Sequence, residues 1–286
     1  MESTTPQTGY LHQDFRLFHL KDQKKIDFEF HYHDFHKIII LLSGDVTYLV
    51  EGKSYILKPM DVLLVNHHAI HKPIIQTDRP YERIVIWLKN DFIEQQHHAQ
   101  VDLSACFQYA DERRFNLIRL DHTLQQQIST LLQQLESALI STDFGSSVLG
   151  DTYFLQLMVY LNRIFLQNDP TKKEQSCHYD EQMDQLLQYI NQNLNADLSN
   201  EALADLFYLN KYHLMHKFKN TTGYTLHNYV QQKRLIHAAS LIKSGVPITQ
   251  AALDSGFSDY STFLRAFRKM FHLSPKELLK DVHSFQ

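Results

Sequence analysis

Between Phe28 and Leu88 the apolar residues fall into short β-rich runs, at Lys37–Leu42, Val46–Glu51, Lys53–Leu57, Val62–Val65 and Arg83–Leu88. Turn signals at Ser43-Gly44, Glu51-Gly52-Lys53 and Lys58-Pro59 divide them at close intervals, a pattern that predicts a small antiparallel barrel or sandwich. The period then changes. Leu124, Ile128, Leu131, Leu132 and Leu135 recur at helical spacing, and Tyr153, Leu157, Tyr160, Leu161 and Ile164 repeat the pattern after Gly150. Gln167 to Tyr179 is polar, holds Asp169-Pro170 and Lys172-Lys173, shows no apolar period and reads as a linker. Beyond it only helical periods occur. Met183, Leu186, Leu187, Ile190 and Leu194 stripe one helix, and Ser199 caps the next. Thr225 opens a long helix to about Lys243, with Gly245 as its stop and Pro247 just beyond. The expected organisation is α+β in two domains: residues 1–166 form a β-barrel followed by helices, 167–179 a linker, and 180–286 an all-α domain.

The all-α part carries one pattern twice, an Ala-rich helix, a short turn and a basic second helix closing on Phe, at Leu203–Phe218 and Ala251–Phe267. Leu203-Ala204 aligns with Ala251-Ala252, Asn210 with Ser258, Phe218-Lys219 with Phe267-Arg268, and Gly223 and Thr225 with His272 and Ser274. The offset slips from 48 to 49 residues between the turn and the second helix, so the second copy has an extra residue there. Small alanines let the helices cross closely, and Asn210 and Ser258 are suited to cap the second helix of each pair. Gly256 supplies the sharp turn of the second copy. Tyr208 holds that place in the first, where a bulky residue at positive φ is a costly outlier, so a remodelled turn is expected.

Charge sharpens the picture. The 286-residue chain carries a net −4, yet from Phe207 onward there are 11 Lys and Arg against 4 Asp and Glu, which is +7 and leaves −11 for the rest. Only the C-terminal part is electrostatically suited to phosphate. Two helix-turn-helix units in one chain can set two reading helices on one face of double-stranded DNA. The long connecting helix fixes their spacing, and successive major-groove faces recur after about 34–36 Å. With Leu214 and Phe218 inward, the first reading helix turns Lys211, Tyr212, Met215, His216 and Lys219 outward. Cys106 and Cys177 lack zinc-ligand spacing and suggest no disulfide framework, as in a reducing cytoplasm. No apolar run approaches a membrane span and Met1–Leu20 lacks the plan of a signal segment, so neither export nor a membrane partner is expected.

The stretch Ile248-Thr249-Gln250-Ala251-Ala252, Gly256-Phe257-Ser258-Asp259, Phe263, Arg265, Phe267-Arg268-Lys269 and Ser274-Pro275 resembles the AraC/XylS family of bacterial transcription regulators. The first copy, with Leu198-Ser199, Leu203-Ala204, Leu214, Phe218-Lys219, Gly223, Tyr229 and Arg234-Leu235, is in the same register, and the likeness runs from about Met183 to Leu278. Departures are Tyr208 and His272 for Gly, His216 for a usual Arg, and Leu278-Leu279 where Tyr-Arg often closes the domain. The resemblance implies base readout by Tyr212, Met215 and His216, and by Tyr260, Ser261, Leu264 and Arg265. Lys211, Lys219, Arg268 and Lys269 then face phosphate. A His offers one hydrogen bond where Arg offers guanine two, so the first helix should depend less on guanine than the second.

Phe30-His31-Tyr32-His33, Leu42-Ser43-Gly44, Glu51-Gly52, Pro59-Met60-Asp61 and Ile70-His71 resemble the cupin-type effector domain common in that family, with Met60 in place of a usual Gly, so an altered turn is expected there. His31, His33, His36, His67, His68 and His71 invite metal ligation, since alternate strand positions share a face. Lys37, however, stands near where metal cupins carry a carboxylate, and no metal or other cofactor is expected. Barrel mouths are common small-molecule sites. A structural reading also stands, with these His side chains bonded within or at the rim of the barrel; the assignment made, partly by family resemblance, is that His31, His33, His36, Lys37 and His71 bind a small polar effector such as a sugar. By resemblance the helices after the barrel mediate a homodimer and the protein acts with RNA polymerase, as an activator by family habit. The alternatives are a cupin-type metal enzyme with a DNA-binding tail, for which no phosphate loop, nucleophile elbow or complete metal quartet speaks, and an architectural DNA binder without effector response. No catalytic residue is assigned.

Overall fold

The computed structural model describes residues 11, 13–22, 28–76, 79–89, 92, 101–167 and 177–283. The chain divides into two compact units, Met1–His178 and Tyr179–Gln286. Most of the expected linker lies outside the described residues. Its Cys177–His178 pair with Tyr55 and Ser54, so this end of the segment belongs to the first unit.

The first unit contains β1 (Phe15–Asp22), β2 (His36–Ser43), β3 (Val46–Val50), β4 (Lys53–Leu57), β5 (Val62–Val65), β6 (His71–Ile75), β7 (Tyr81–Leu88), β8 (Leu117–Ile118) and β9 (Cys177–His178). They form two antiparallel sheets in the orders β1-β7-β2-β5-β8 and β6-β3-β4-β9. The five expected strands are present. β1 escapes sequence reading because Arg16 interrupts one of its faces and His19 and Lys21 the other, and β6 because of Pro73. Proline is tolerated there because β6 is an edge strand.

Side-chain alternation sorts the residues of β2 between two cores. Ile38 and Ile40 pack outward with Ile84, Ile86 and Leu88 against helices, while Ile39 and Leu41 pack inward with Val85, Trp87, Tyr48 and Tyr55 between the sheets. Burial on both faces explains why β2 reads as a continuous apolar run. The outer core is closed by α1 (Ala105–Glu112), α2 (His122–Ile140) and α3 (Ser146–Gln167), through Phe107, Ile128, Leu131, Leu135, Leu157 and Leu161. Buried Asn162 ties α1 to α3, accepting from Cys106 N at 2.7 Å and donating to Leu103 O at 2.8 Å. The apolar stripes of α2 and α3 are thus spent within the unit. At the turn Pro59-Met60-Asp61, Met60 itself takes φ +66°, a conformation that favours glycine.

The second unit is helical: α4 (Glu181–Gln192), α5 (Asn200–Leu206), α6 (Lys211–Thr222), α7 (Leu226–Lys243), α8 (Ile248–Asp254), α9 (Tyr260–Phe271) and α10 (Pro275–His283). Ser199 accepts from Ala202 N and Thr225 from Asn228 N, the caps read from sequence. The long α7 serves both repeats. Tyr229 meets Phe218 of the first, ring centroids 5.3 Å apart, while Leu235, Ala238, Ala239 and Ile242 join Phe263 and Phe267 of the second.

The two turns share one backbone design. Tyr208 N and Leu209 N donate to Asp205 O and Ala204 O, as Gly256 N and Phe257 N donate to Leu253 O and Ala252 O. Tyr208 adopts φ +54° against +85° at Gly256, so the expected remodelling does not occur. Its side chain is 96 % exposed and clashes with nothing, leaving a backbone cost of about 1–2 kcal/mol. His272, at φ +57°, likewise replaces the glycine that ends α6. A second correction concerns the cap. Asp259, and not Ser258, accepts from Thr262 N to start α9, so Ser258 is the inserted residue.

Candidate functional site

On α6 the alternation of exposure follows the expected register. Leu214 and Phe218 are fully buried, and Tyr212, Met215, His216 and Lys219 are exposed. Asn220 Nδ2 lies 3.3 Å from His216 Nδ1; with Nδ1 accepting, the imidazole offers a single outward donor at Nε2. Lys211 is tied to Glu201 in an ion pair, which competes with any phosphate. On α9, Tyr260, Ser261, Arg265, Arg268 and Lys269 are exposed, but Leu264 is half-buried against the second repeat's core and keeps only part of its side chain for a partner. Arg265 donates to Thr262 Oγ1 at 3.3 Å and makes no ion pair with any described residue. Thr262 and, more weakly, Arg265 hold the Asp259 carboxyl below the usual carboxylate range.

A residue named from sequence without a role turns out to join the two repeats. Arg234 of α7 donates to Leu194 O at 2.7 Å and to Ala196 O at 2.8 Å, tying the segment between α4 and α5 to the connecting helix. Gly256 sits against this knot. A Cβ there would lie 2.3 Å from Leu194 O and 2.8 Å from Arg234 Nε.

The first unit encloses a cavity lined by Leu20, Phe28, His31, Lys37, Tyr48, Pro73, Tyr81, Arg83, Val85 and Trp87, with about 500 Å³ of atom-free space including its open mouth. Its polar groups come from the inward positions of β2, β3 and β7 and from the segment before β2. Lys37 Nζ stands 3.0 Å from His33 Nε2 and 3.0 Å from His71 Nε2. The other nitrogen of His71 donates to Ala69 O at 2.8 Å, which leaves Nε2 as the acceptor. Burial first, and then the Lys37 charge, lowers the His31 pKa to about 4 and that of His33 to about 2, and drives His71 well below its ordinary value. Burial, with the charge of Arg83, lowers Lys37 to about 7. Arg83 itself is paired with Asp22 and stacks over Tyr81 at 4.1 Å.

Of the effector residues expected from sequence, His31, His33, Lys37 and His71 are brought together and His36 is not. One position along β2 reverses the face: His36 packs on Phe107 of α1 at 4.2 Å and on His67 at 4.9 Å, behind the sheet. Sequence reading missed Arg83, Tyr48, Tyr81 and Trp87, whose signal was the inward alternation of β3 and β7. The ligand atoms of His31, His33 and His71 lie within 4.8 Å of one another, a spacing that a metal ion could use. Lys37 Nζ stands among them, so an ion would have to displace the amine.

A β-rich unit with an internal cavity and a helical unit with a doubled reading motif define a ligand-controlled, DNA-binding regulator. Residues 17–158 match the AraC-like ligand binding domain, and residues 203–281 match a helix-turn-helix domain. With both matches in this order, the chain belongs to the AraC family of transcription regulators. It is 28% identical over 260 residues to the HTH-type transcriptional activator RhaS of Escherichia coli O1:K1 / APEC, covering 91% of this chain and 90% of that one. With RhaS of Salmonella schwarzengrund (strain CVM19633) it shares 29% over 249 residues, 87% of this chain and 86% of the relative. Among solved structures, an apo ToxT variant from Vibrio cholerae strain SCE256 matches 94% of this chain and 97% of its own, at 18% identity and TM-score 0.40. No helix among the described residues is long and apolar enough to cross a membrane.

Proposed function

We propose that this regulator is a homodimeric, cytoplasmic activator without enzymatic activity, which binds a small polar effector such as a sugar in the first unit's cavity and positions RNA polymerase at a promoter. The observation that carries this reading is the pairing of two matched reading helices, their outward side chains turned to solvent, with a cavity whose wall combines Trp87 and several buried polar groups. The likeness to RhaS activators favours activation. Tyr212, Met215, His216, Tyr260, Ser261 and Arg265 read bases, with Leu264 contributing a partial apolar contact. Lys219, Arg268 and Lys269 hold phosphate, joined by Lys211 when it leaves Glu201. Footprinting of the adjoining promoter with and without candidate sugars tests the whole reading; identical affinity for the promoter and for scrambled duplex would overturn it.

Arg265→Ala is expected to cost about 1–3 kcal/mol on the specific site and to relax preference at one base pair, measured by fluorescence anisotropy on single-substituted duplexes. Equal weakening on every sequence would instead assign Arg265 to phosphate.

The dimer surface requires apolar residues that the core has not used. At the turn between α2 and α3, Ile140, Phe144 and Val148 are exposed, Ile140 at 83 %. The double change Ile140→Glu with Phe144→Glu is expected to convert the dimer to a monomer in analytical ultracentrifugation while leaving the melting of the first unit near wild type. A wild-type chain that stays monomeric at all concentrations would refute the dimer.

A further inference from the structure

We propose that Lys37 is a covalent capture point, its amine forming a reversible imine with the carbonyl of an aldehyde-bearing effector, such as the open-chain form of an aldose, inside the cavity. This rests on the reading of that cavity as the effector site and adds a chemistry to it.

The geometry of the amine carries the inference. Lys37 lines the cavity, is buried, and has no carboxylate partner among the described residues. Its polar contacts are two imidazole nitrogens, His33 Nε2 and His71 Nε2, each at 3.0 Å. His71 Nε2, whose Nδ1 donates to Ala69 O, accepts one hydrogen of a neutral amine, and His33 as its Nδ1–H tautomer accepts the other at Nε2, so the lone pair occupies the tetrahedral direction left over. The groups that surround it favour the neutral form. Arg83 on β7 is a cation whose own counter-ion, Asp22, is already engaged, and the near imidazoles of His31, His33 and His71 are neutral. Tyr48 and Tyr81 remain protonated because burial raises both phenols. The lowering of Lys37 to about 7 agrees with this setting. At neutral pH such an amine has about a thousandfold more of its neutral, nucleophilic form than an exposed lysine.

The step balances without any added reagent. The Nζ lone pair forms a bond to the carbonyl carbon while the C=O π pair moves to oxygen, which takes a proton. That first proton comes from the amine, giving a carbinolamine, and the second amine proton moves to the new hydroxyl. Water then leaves as the C=N bond forms. One amine and one aldehyde give one imine and one water, and hydrolysis reverses the sequence. Lys37 belongs to the sheet of β2 and His71 to the sheet of β6, so the amine bridges the two sheets. Imine formation removes both N–H donors from that bridge, which couples capture to the relation of the sheets.

The test uses the full chain with glycolaldehyde as probe and cyanoborohydride at pH 7, followed by peptide mass mapping. Lys37 is expected to carry the reduced adduct at a rate about tenfold or more above any exposed lysine. Lys37→Arg should remove that adduct and leave surface labelling unchanged. Labelling of Lys37 at or below the surface rate overturns the proposal. If a neutral, carbonyl-free polyol then still shifts Trp87 fluorescence, the cavity remains an effector site and only the covalent step is lost.

Discussion

Gly256→Ala is expected to lower the stability of the helical unit by about 2–5 kcal/mol and to abolish specific DNA binding. One part, about 1–2 kcal/mol, is the cost of a Cβ at φ +85°. The other, about 1–3 kcal/mol, is overpacking, since the new Cβ would lie 2.3 Å from the Leu194 carbonyl oxygen and 2.9 Å from Arg234 Cζ. Neither neighbour yields cheaply. Leu194 O is backbone, and Arg234 is held by its own bonds to Leu194 O and Ala196 O. Relief requires opening the knot that joins the segment before α5, the connecting helix α7 and the second turn, and with it the spacing of the two reading helices. The equivalent change in the first turn, Tyr208→Gly, supplies the internal control. It removes a similar backbone strain, and glycine's extra freedom in the unfolded chain offsets about 0.5–1 kcal/mol of that gain. A shift within about 1 kcal/mol of wild type is therefore expected for Tyr208→Gly. Circular dichroism melts of the two variants, with anisotropy on promoter DNA, read both effects. A Gly256→Ala protein that melts and binds like wild type would show that the knot does not hold the repeats together.

The contrast between these turns shows what the sequence could and could not convey. The repeat itself was legible because its spacing, alanines and terminal Phe recur within a single helical period, and burial of Leu214, Phe218, Phe263 and Phe267 follows that period. The fate of Tyr208 was not legible, because whether a side chain at positive φ is tolerated depends on what surrounds it, and here it meets solvent. The cap shift from Ser258 to Asp259 is of the same kind: the one-residue slip was visible, but its place required the hydrogen bond to Thr262 N. In the first unit the inward set of β2 became readable only once the phase of alternation was fixed. Ile38, Ile39 and Ile40 are all apolar, so the run gives no phase: His36 and Lys37, as strand neighbours, point to opposite faces, but which of them faces the cavity could not be read from sequence. Arg83 and Trp87 entered the cavity for the same reason. Both stand on β7, a strand buried on both sides, whose period a count of apolar residues does not reveal.

The first unit should lose stability steeply as pH falls below about 6.5. In the unfolded chain His31, His33 and His71 take up protons near their ordinary value of 6.5, whereas in the folded unit burial keeps His31 neutral to about 4, His33 to about 2, and His71 far below 6.5. Between these limits the unfolded state binds more protons, so stability rises with pH. Each group contributes about 1.4 kcal/mol per pH unit, and the three together about 4. Going from pH 6.5 to pH 5 should therefore remove on the order of 5 kcal/mol, comparable to the whole stability of many domains. Buried Asp61 acts in the opposite sense, because burial raises its pKa and the folded form holds a proton longer. Lys37 extends the same sign to alkaline pH. With a folded pKa of about 7 against an ordinary 10.5, it disfavours folding below pH 7 and ceases to do so progressively as pH rises through that interval. The chain has one tryptophan, Trp87, buried at 4 % exposure in the inner core with its ring 5.9 Å from that of His33. Its fluorescence therefore reports this unit selectively in urea titrations at successive pH values. His33→Gln should reduce the acid slope by about one third, since one of three proton-linked groups is gone. A Trp87 transition whose midpoint stays flat between pH 5 and pH 7 would mean that these imidazoles take protons in the folded state as readily as in the unfolded one, and that the cavity is wetter than its packing indicates.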